Sequence, residues 1–192
     1  MALQATIDEA NVQFWDELCG SGLARKLGIT ARDDSSIARF DAAYLDMYPY
    51  LLKRGPVDAF AGLRVLEVGL VYGTLGQQIA MRGGEYVGLD IAGGPVDMIA
   101  YRISRLPHAS GRTQQGSVLE CPFPDGSFDA VVAIGCYHHT GNLRRAIDET
   151  HRVLKPGGAA YIMVYNALSY RNWLRWPIRT ARWPSCWRAG IR

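Results

Sequence analysis

The stretch Val65-Leu66-Glu67-Val68-Gly69-Leu70-Val71-Tyr72-Gly73 decides the fold of this chain. Its apolar residues suit a strand that is covered on both faces of a sheet. Its glycines permit a sharp turn and the close approach of a ligand. A helix is expected to begin at Thr74. A strand, a turn and a helix in this order form the ligand-binding end of a doubly wound α/β sheet, where nucleotides commonly bind.

The spacing of the glycines argues against a nicotinamide dinucleotide as the ligand. The fingerprint G-x-G-x-x-G would need glycine at positions 69, 71 and 74, whereas the chain has Gly69, Val71 and Thr74. The pattern that fits is E-x-G-x-x-x-G. A nicotinamide-dependent oxidoreductase therefore remains a disfavoured alternative, which tight binding of NADH would revive.

Three later segments follow in a fixed order. Residues 84–90 (GEYVGLD) read as a second strand that ends in an acidic residue. The intervening residues 96–106 are expected to form a helix. Residues 122–139 (PFPDGSFDAVVAIGCYHH) read as a loop and a further strand, and residues 153–158 (VLKPGG) as a turn before a last strand at 159–165. With the first stretch, these segments resemble the motifs of the class I S-adenosylmethionine-dependent methyltransferases, of the methyltransferase type 11 kind. Motif I of that family is E/D-x-G-x-G-x-G.

The resemblance implies an α/β fold: a doubly wound, mostly parallel Rossmann-like sheet with helices on both faces and an N-terminal helical lid. It assigns residues 1–55 to the lid, 56–167 to the cofactor-binding core and 168–192 to a tail rich in Arg and Trp. The family continues past strand five into two further strands. No hairpin pattern is visible in the 27 residues after Tyr165, so strands six and seven are expected to be missing. The sequence leaves open whether the chain is naturally short, cut or altered near its end.

The cofactor implied by the resemblance is S-adenosylmethionine, with S-adenosylhomocysteine as its product. An acidic residue about 20 positions beyond the turn can accept both ribose hydroxyls, and by resemblance Asp90 has this role while Glu67 lies near the aminoacyl end. Val71 replaces the family's middle glycine and would be strained at a positive φ. The residues expected to bind the cofactor are Glu67, Gly69, Leu70, Val71, Gly73, Asp90, Ile91, Ser117, Val118, Ile134 and Gly135.

Two histidines, His138 and His139, follow the strand that ends near Ile134. Histidine near its ordinary pKa suits a general base, and His139 is the preferred candidate. The alternative is that one ring packs inward and the other faces solvent. Two histidines without further ligands do not predict a metal site.

The acceptor is the least determined part of the prediction. Arg39, Tyr44 and Tyr48 lie roughly on one helical face and are candidates for an acceptor pocket, although a plain core stripe is equally compatible with their spacing. The sequence predicts methyl transfer to a small-molecule, glycan or lipid-linked acceptor, with oxygen marginally favoured. The alternative is a protein of this fold that binds the cofactor without turnover or that needs a partner.

Charge is distributed unevenly along the chain. The net charge is +3, but residues 168–192 carry six arginines and no acidic residue, which leaves −3 for the rest. Nucleic-acid binding by the core is therefore not expected. The tail, with interleaved Trp and Arg, is compatible with peripheral contact with anionic lipid, with a lid or with a homo-oligomer contact. Widely spaced cysteines and the absence of a long apolar run favour a cytoplasmic protein.

Overall fold

The structure is a computed structural model that describes residues 2–16, 22–53, 57–107 and 111–166. The predictions made for the basic tail at 168–192 lie outside these residues, as does the predicted boundary between residues 55 and 56. The described part consists of an N-terminal helical layer that packs against an α/β core.

The N-terminal layer consists of α1 (Ala2–Asp16), α2 (Gly22–Lys26), α3 (Asp34–Met47) and α4 (Tyr50–Lys53). The helices that cover the sheet are α5 (Thr74–Met81), α6 (Gly93–Ser104) and α7 (Leu143–Val153). Asp33 starts α3 as its N-cap, because its carboxylate accepts the amide N–H of Ser36 at 2.8 Å. Short 3₁₀ turns lie at Val57–Phe60, Val118–Glu120 and Tyr137–His139.

Within the described residues, five parallel strands form one sheet. They are β1 (Arg64–Val68), β2 (Glu85–Asp90), β3 (Gly111–Gln115), β4 (Phe128–Ile134) and β5 (Leu154–Met163), in the spatial order β3-β2-β1-β4-β5. The strand order reverses between β1 and β4, and in such sheets a ligand binds beyond the carboxyl ends of the strands at that point. The predicted doubly wound α/β fold is confirmed.

The sheet buries apolar side chains on both faces. One face packs Leu66, Leu89 and Val131 with residues of α7, and the other packs Val65, Ile79 and Ile99 between the sheet, α5 and α6. β1 and β2 are almost entirely buried, as their near-continuous apolar sequences predict. A third cluster joins the N-terminal layer to the core through Ala24, Ile29, Phe40, Tyr72 and Met98.

The boundaries of two elements differ from the sequence prediction. The helix expected to begin at Val96 begins at Gly93, because proline is tolerated in a first helical turn and the Asp16 carboxylate accepts the Gly94 amide N–H at 2.7 Å. The last strand was expected at 159–165 but spans 154–163. The predicted glycine turn is a bulge inside it, where the register moves from the pair Phe128–Leu154 to the pair Ala130–Ala159.

Candidate functional site

The turn after β1, residues 69–73, is the motif I turn, and it has a backbone conformation that valine adopts only with strain. Gly69, Val71 and Gly73 all have positive φ values, of 80°, 50° and 78°. Gly69 is required for close approach as well, since a Cβ there would lie 2.5 Å from the Cβ of Cys136. A positive φ is a genuine outlier for a β-branched residue such as Val71. The strain expected at this position is therefore present in the structure.

Asp90 fixes the start of this turn. Its Oδ2 accepts the backbone N–H of Leu70 at 2.7 Å, and its Oδ1 accepts that of Ala92 at 3.0 Å. The side chain is buried, which raises the pKa of the carboxyl group, while backbone hydrogen bonds from Ala92, Leu70 and Ile91 oppose that rise. A carboxylate has about four lone-pair sites, so Asp90 can hold the turn and still accept a hydroxyl group of a ligand.

A cleft lies at the carboxyl ends of β1, β2 and β4, which is where sheets of this kind bind small molecules. Most of the predicted cofactor residues line it. They are Gly69, Val71, Asp90, Ile91, Ser117, Val118, Ile134 and Gly135. Ser117 also caps the following 3₁₀ turn, because its Oγ accepts the Leu119 N–H at 3.2 Å.

The N-terminal helix lies in the predicted lid region and forms a wall of the cleft, through residues that the sequence analysis did not name as site residues. Asp8, Asn11 and Trp15 of α1 line the cleft, as do Cys136 and Thr140 of the loop after β4. The amide of Asn11 donates to the carbonyl oxygen of His139 at 2.9 Å. The spacing of positions 8, 11 and 15 marks one helical face, and this was the available signal.

Glu67 and Leu70 lie in a smaller recess behind the turn, with about 230 Å³ of empty space, which Tyr44 and Thr74 also line. Glu67 Oε2 accepts the hydroxyl of Tyr86 at 2.6 Å. Complete burial raises the pKa of Glu67 to about 8, against the lowering effect of the Tyr86 hydrogen bond. Burial therefore favours the protonated form of Glu67.

Gly73 contributes to the turn without lining the cleft or the recess. A Cβ at Gly73 would lie 2.9 Å from Ile99 Cδ1 and 3.0 Å from Arg102 Cδ. Its role in the structure is close packing of the turn against α6.

The two histidines have different environments. His139 lines the cleft, and its ring centroid lies 5.6 Å from that of Trp15. His138 lies outside the cleft lining and packs against the rings of His139 and Tyr165 at 4.1 and 4.5 Å. Within the described residues both ring nitrogens of His138 are buried without a hydrogen-bond partner. Burial lowers the pKa of His138 to about 4 and also lowers that of His139.

The three candidates for acceptor contact separate in the structure. Tyr44 faces the recess beside Glu67, and its ring packs on that of Tyr48 at 5.0 Å. The Tyr48 hydroxyl lies 3.4 Å from that of Tyr165. Arg39 instead donates to the carbonyl oxygen of Leu27 at 3.1 Å and is exposed. The spacing placed the tyrosines together but could not show that Arg39 turns away.

The site matches an adenosyl ligand better than a metal ion. A buried carboxylate, a turn without Cβ atoms at Gly69 and an apolar cleft are what a ribose, an amino-acid end and an adenine ring require. Among the described residues, no group of three or more His, Cys, Asp or Glu side chains could hold a metal ion. Among the same residues, no helix has the length and apolar character needed to span a bilayer.

The profile of one protein family, described as a methyltransferase domain, matches residues 66–162 and so contains β1 to β5 nearly complete. The chain belongs to this methyltransferase family. This membership confirms the family resemblance, the doubly wound α/β fold and the S-adenosylmethionine cofactor that the sequence motifs predicted.

Individual relatives agree with this assignment. A demethylmenaquinone methyltransferase of Tropheryma whipplei is 31% identical over 122 residues, which are 60% of this chain and 50% of that protein. A sterol methyltransferase-like protein of Botryococcus braunii is 35% identical over 119 residues, 58% of this chain and 28% of the relative. The chain thus spans half or less of the length of these two relatives.

A solved structure with the same fold is a candidate methyltransferase of Bacillus halodurans, with a TM-score of 0.51 and 27% identity over 56% of this chain and 47% of that one. A S-adenosylmethionine-dependent methyltransferase of Aquifex aeolicus shares the fold at 21% identity, with a TM-score of 0.51, over 65% of this chain and 68% of that one.

Proposed function

We propose that this chain binds S-adenosylmethionine in the cleft and methylates a hydroxyl oxygen of an apolar, ring-containing or lipid-linked small molecule. The observation that carries the proposal is the Asp90 carboxylate, which is buried in the cleft and bound to the turn of motif I. The named relatives act on a demethylmenaquinone or are related to sterol enzymes, which supports an apolar acceptor.

In this proposal Asp90 would hold the ribose hydroxyls, Ile91 and Val118 would flank the adenine ring, and Glu67 would face the aminoacyl end. The cofactor supplies an activated methyl group on a sulfonium sulfur. The protein's part is to hold the acceptor oxygen in line with it and to exclude water. Correct orientation of this kind can contribute about 7–11 kcal/mol to lowering a barrier.

His139 is the proposed proton acceptor. Burial lowers the pKa of His139, so its imidazole is neutral near pH 7 and can accept the proton of an acceptor hydroxyl. A positioned base of this kind typically contributes about 10²–10⁴-fold to the rate. His138 is the less suitable of the two because its ring nitrogens are enclosed by neighbouring rings.

The test is calorimetric titration with S-adenosylhomocysteine of the native chain and of Asp90→Asn. Hydrogen bonds to a charged group contribute about 1.5–3 kcal/mol each, so we expect the variant to bind at least about tenfold more weakly. The control is Asp129→Asn, because Asp129 also accepts a backbone N–H, that of Arg64 at 2.9 Å, but sits at the opposite end of the sheet.

Equal affinities of the native chain and Asp90→Asn, or absence of binding by the native chain, would contradict the proposal. The same samples are then supplied with labelled S-adenosylmethionine and a series of quinols, phenols and sterols. Binding without label transfer to any of them would favour the alternative of a cofactor-binding protein that needs a partner for turnover.

A further inference from the structure

Arg102 is a fully buried arginine that lies beneath the motif I turn. Its side chain, on α6, is 0% exposed. Its Nη1 donates to the carbonyl oxygen of Tyr72 at 2.8 Å, and its Nε donates to Oε1 of Gln77 at 2.7 Å. A buried guanidinium needs such partners because an unpaired charge is costly in the interior. One of its bonds therefore holds the backbone of the turn itself.

The counter-ion of Arg102 comes from a different layer of the molecule. Asp41, on α3, accepts from Arg102 Nη2 at 2.6 Å and from the hydroxyl of Thr74 at 2.6 Å. Thr74 is the first residue of α5 and follows the turn directly. Asp41 thus connects the N-terminal layer with Arg102, which binds the Tyr72 carbonyl, and with the first residue of α5.

The residues on both sides of Val71 are held by hydrogen bonds to buried side chains. On one side the Leu70 N–H is bound to Asp90, and on the other the Tyr72 carbonyl is bound to Arg102. The Gly73 N–H also closes the turn onto the Leu70 carbonyl at 2.8 Å. A non-glycine residue at positive φ persists only where its surroundings over-determine it.

We propose that Asp41 and Arg102 are a positioning pair that holds Val71 in its left-handed conformation and thereby shapes the cleft wall. Neither residue lines the cleft, whereas Val71 lines both the cleft and the recess. The effect on ligand affinity rests on the proposed function. The effect on the turn does not, and it can be measured without a ligand.

The experiment measures amide hydrogen exchange at Leu70 and Gly73 in the free protein, and S-adenosylhomocysteine affinity by calorimetry. The variants are Arg102→Met, which removes the buried charge and keeps an unbranched apolar stem, and Asp41→Asn, a milder change that preserves shape. Each is made alone and combined with Val71→Gly. The matched control is Asp34→Asn, since Asp34 and Arg105 form an exposed ion pair between the same two helices at 2.7 Å.

We expect exchange at Leu70 and Gly73 to be at least about tenfold faster in Arg102→Met and Asp41→Asn, and affinity to fall by a similar factor. Adding Val71→Gly should recover most of both losses, because glycine adopts a positive φ without strain. Asp34→Asn should change neither quantity. A purely structural role would lower stability, and glycine at position 71 would not relieve that loss.

Two results would overturn the inference. One is exchange at the turn that is no faster in Arg102→Met and Asp41→Asn than in Asp34→Asn. The other is that adding Val71→Gly to Arg102→Met or Asp41→Asn speeds exchange at the turn further and lowers affinity further. If the native chain fails to bind S-adenosylhomocysteine while the exchange data follow expectation, the positioning pair stands and the proposed function fails.

Discussion

The Glu67 carboxyl group shows how strongly one residue can respond to burial. It lies under the motif I turn, bound to the Tyr86 hydroxyl, with a pKa raised to about 8 from an ordinary value of 4.5. Folding therefore favours its protonated form. The stabilisation is fully present below the ordinary pKa and is lost as pH rises towards the folded-state pKa.

For Glu67→Gln we expect a flatter dependence of stability on pH. The native free energy of unfolding should fall between pH 5 and pH 8 by a few kcal/mol relative to the variant, since each pKa unit corresponds to about 1.4 kcal/mol. Denaturant unfolding at several pH values measures this. Glu85→Gln, at a side chain that is 58% exposed, should keep the native slope. Parallel curves for native and Glu67→Gln proteins would refute the assignment.

Individual positions of the site were predictable where the motif itself specifies chemistry. Asp90 and Gly69 lie where the sequence indicated. The sequence predicted that Val71 would be strained if its φ were positive. Whether φ is positive depends on Asp90 and Arg102, which bind the residues on either side of Val71. The contact between Asp41 and Arg102 joins positions 61 residues apart, and no periodicity or motif connects such a pair.

At the scale of elements, α1 is the part whose role exceeds its sequence signal. Side chains at its two ends fasten it: Gln4 donates to the Thr140 carbonyl at 2.8 Å, and Asp16 accepts from the Gly94 N–H at 2.7 Å. Between these ends Asn11 donates to the His139 carbonyl at 2.9 Å, and none of the described side chains of α1 is buried. Elements fastened in this way open locally at low free-energy cost.

Gly94→Ala should loosen α1. An added Cβ would lie 2.8 Å from the backbone oxygen of Asp16, so the two helices must move apart, whereas at Gly93 it would meet nothing closer than 3.7 Å. Overpacking costs about 1–3 kcal/mol. We expect faster hydrogen exchange in α1 and S-adenosylhomocysteine binding weakened by a corresponding factor. Gly93→Ala is the control, and identical behaviour of the two variants would disprove this account.

The strands and helices of the core were predictable because their residues carry the pattern of buried parallel strands. β1 and β2 have the predicted bounds. The starts of α6 and β5 were missed, since Gly93-Gly94-Pro95 and Pro156-Gly157-Gly158 resemble loops locally. Asp16 and the register of β4 decide those boundaries, and both are tertiary effects.

On the scale of the whole molecule, the N-terminal layer is packed into the core and is more than a cover. Phe40 is 1% exposed, and its ring lies 4.4 Å from that of Tyr72, in the motif I turn. The sequence predicted that residues 1–55 form a helical lid. It could not predict which core residues they contact, because an apolar helical face does not specify its partner.

Phe40→Ala should destabilise the entire described fold. Loss of a buried phenylalanine costs about 3–5 kcal/mol, and we expect one cooperative transition at lower temperature in calorimetry. Leu3→Ala, at a side chain that is 74% exposed, should shift the midpoint little. A second transition, with the core melting at its native temperature, would mean that the layer folds independently.

The family profile and the cleft cover different parts of the chain, because α1 forms one wall of the cleft. The family profile covers residues 66–162, whereas Asp8, Asn11 and Trp15 lie well before it. The segment that matches the family profile is therefore shorter than the unit that forms the cleft. A protein reduced to that segment would lose the α1 wall, so the shape of the cleft depends on a part of the chain that the profile does not include.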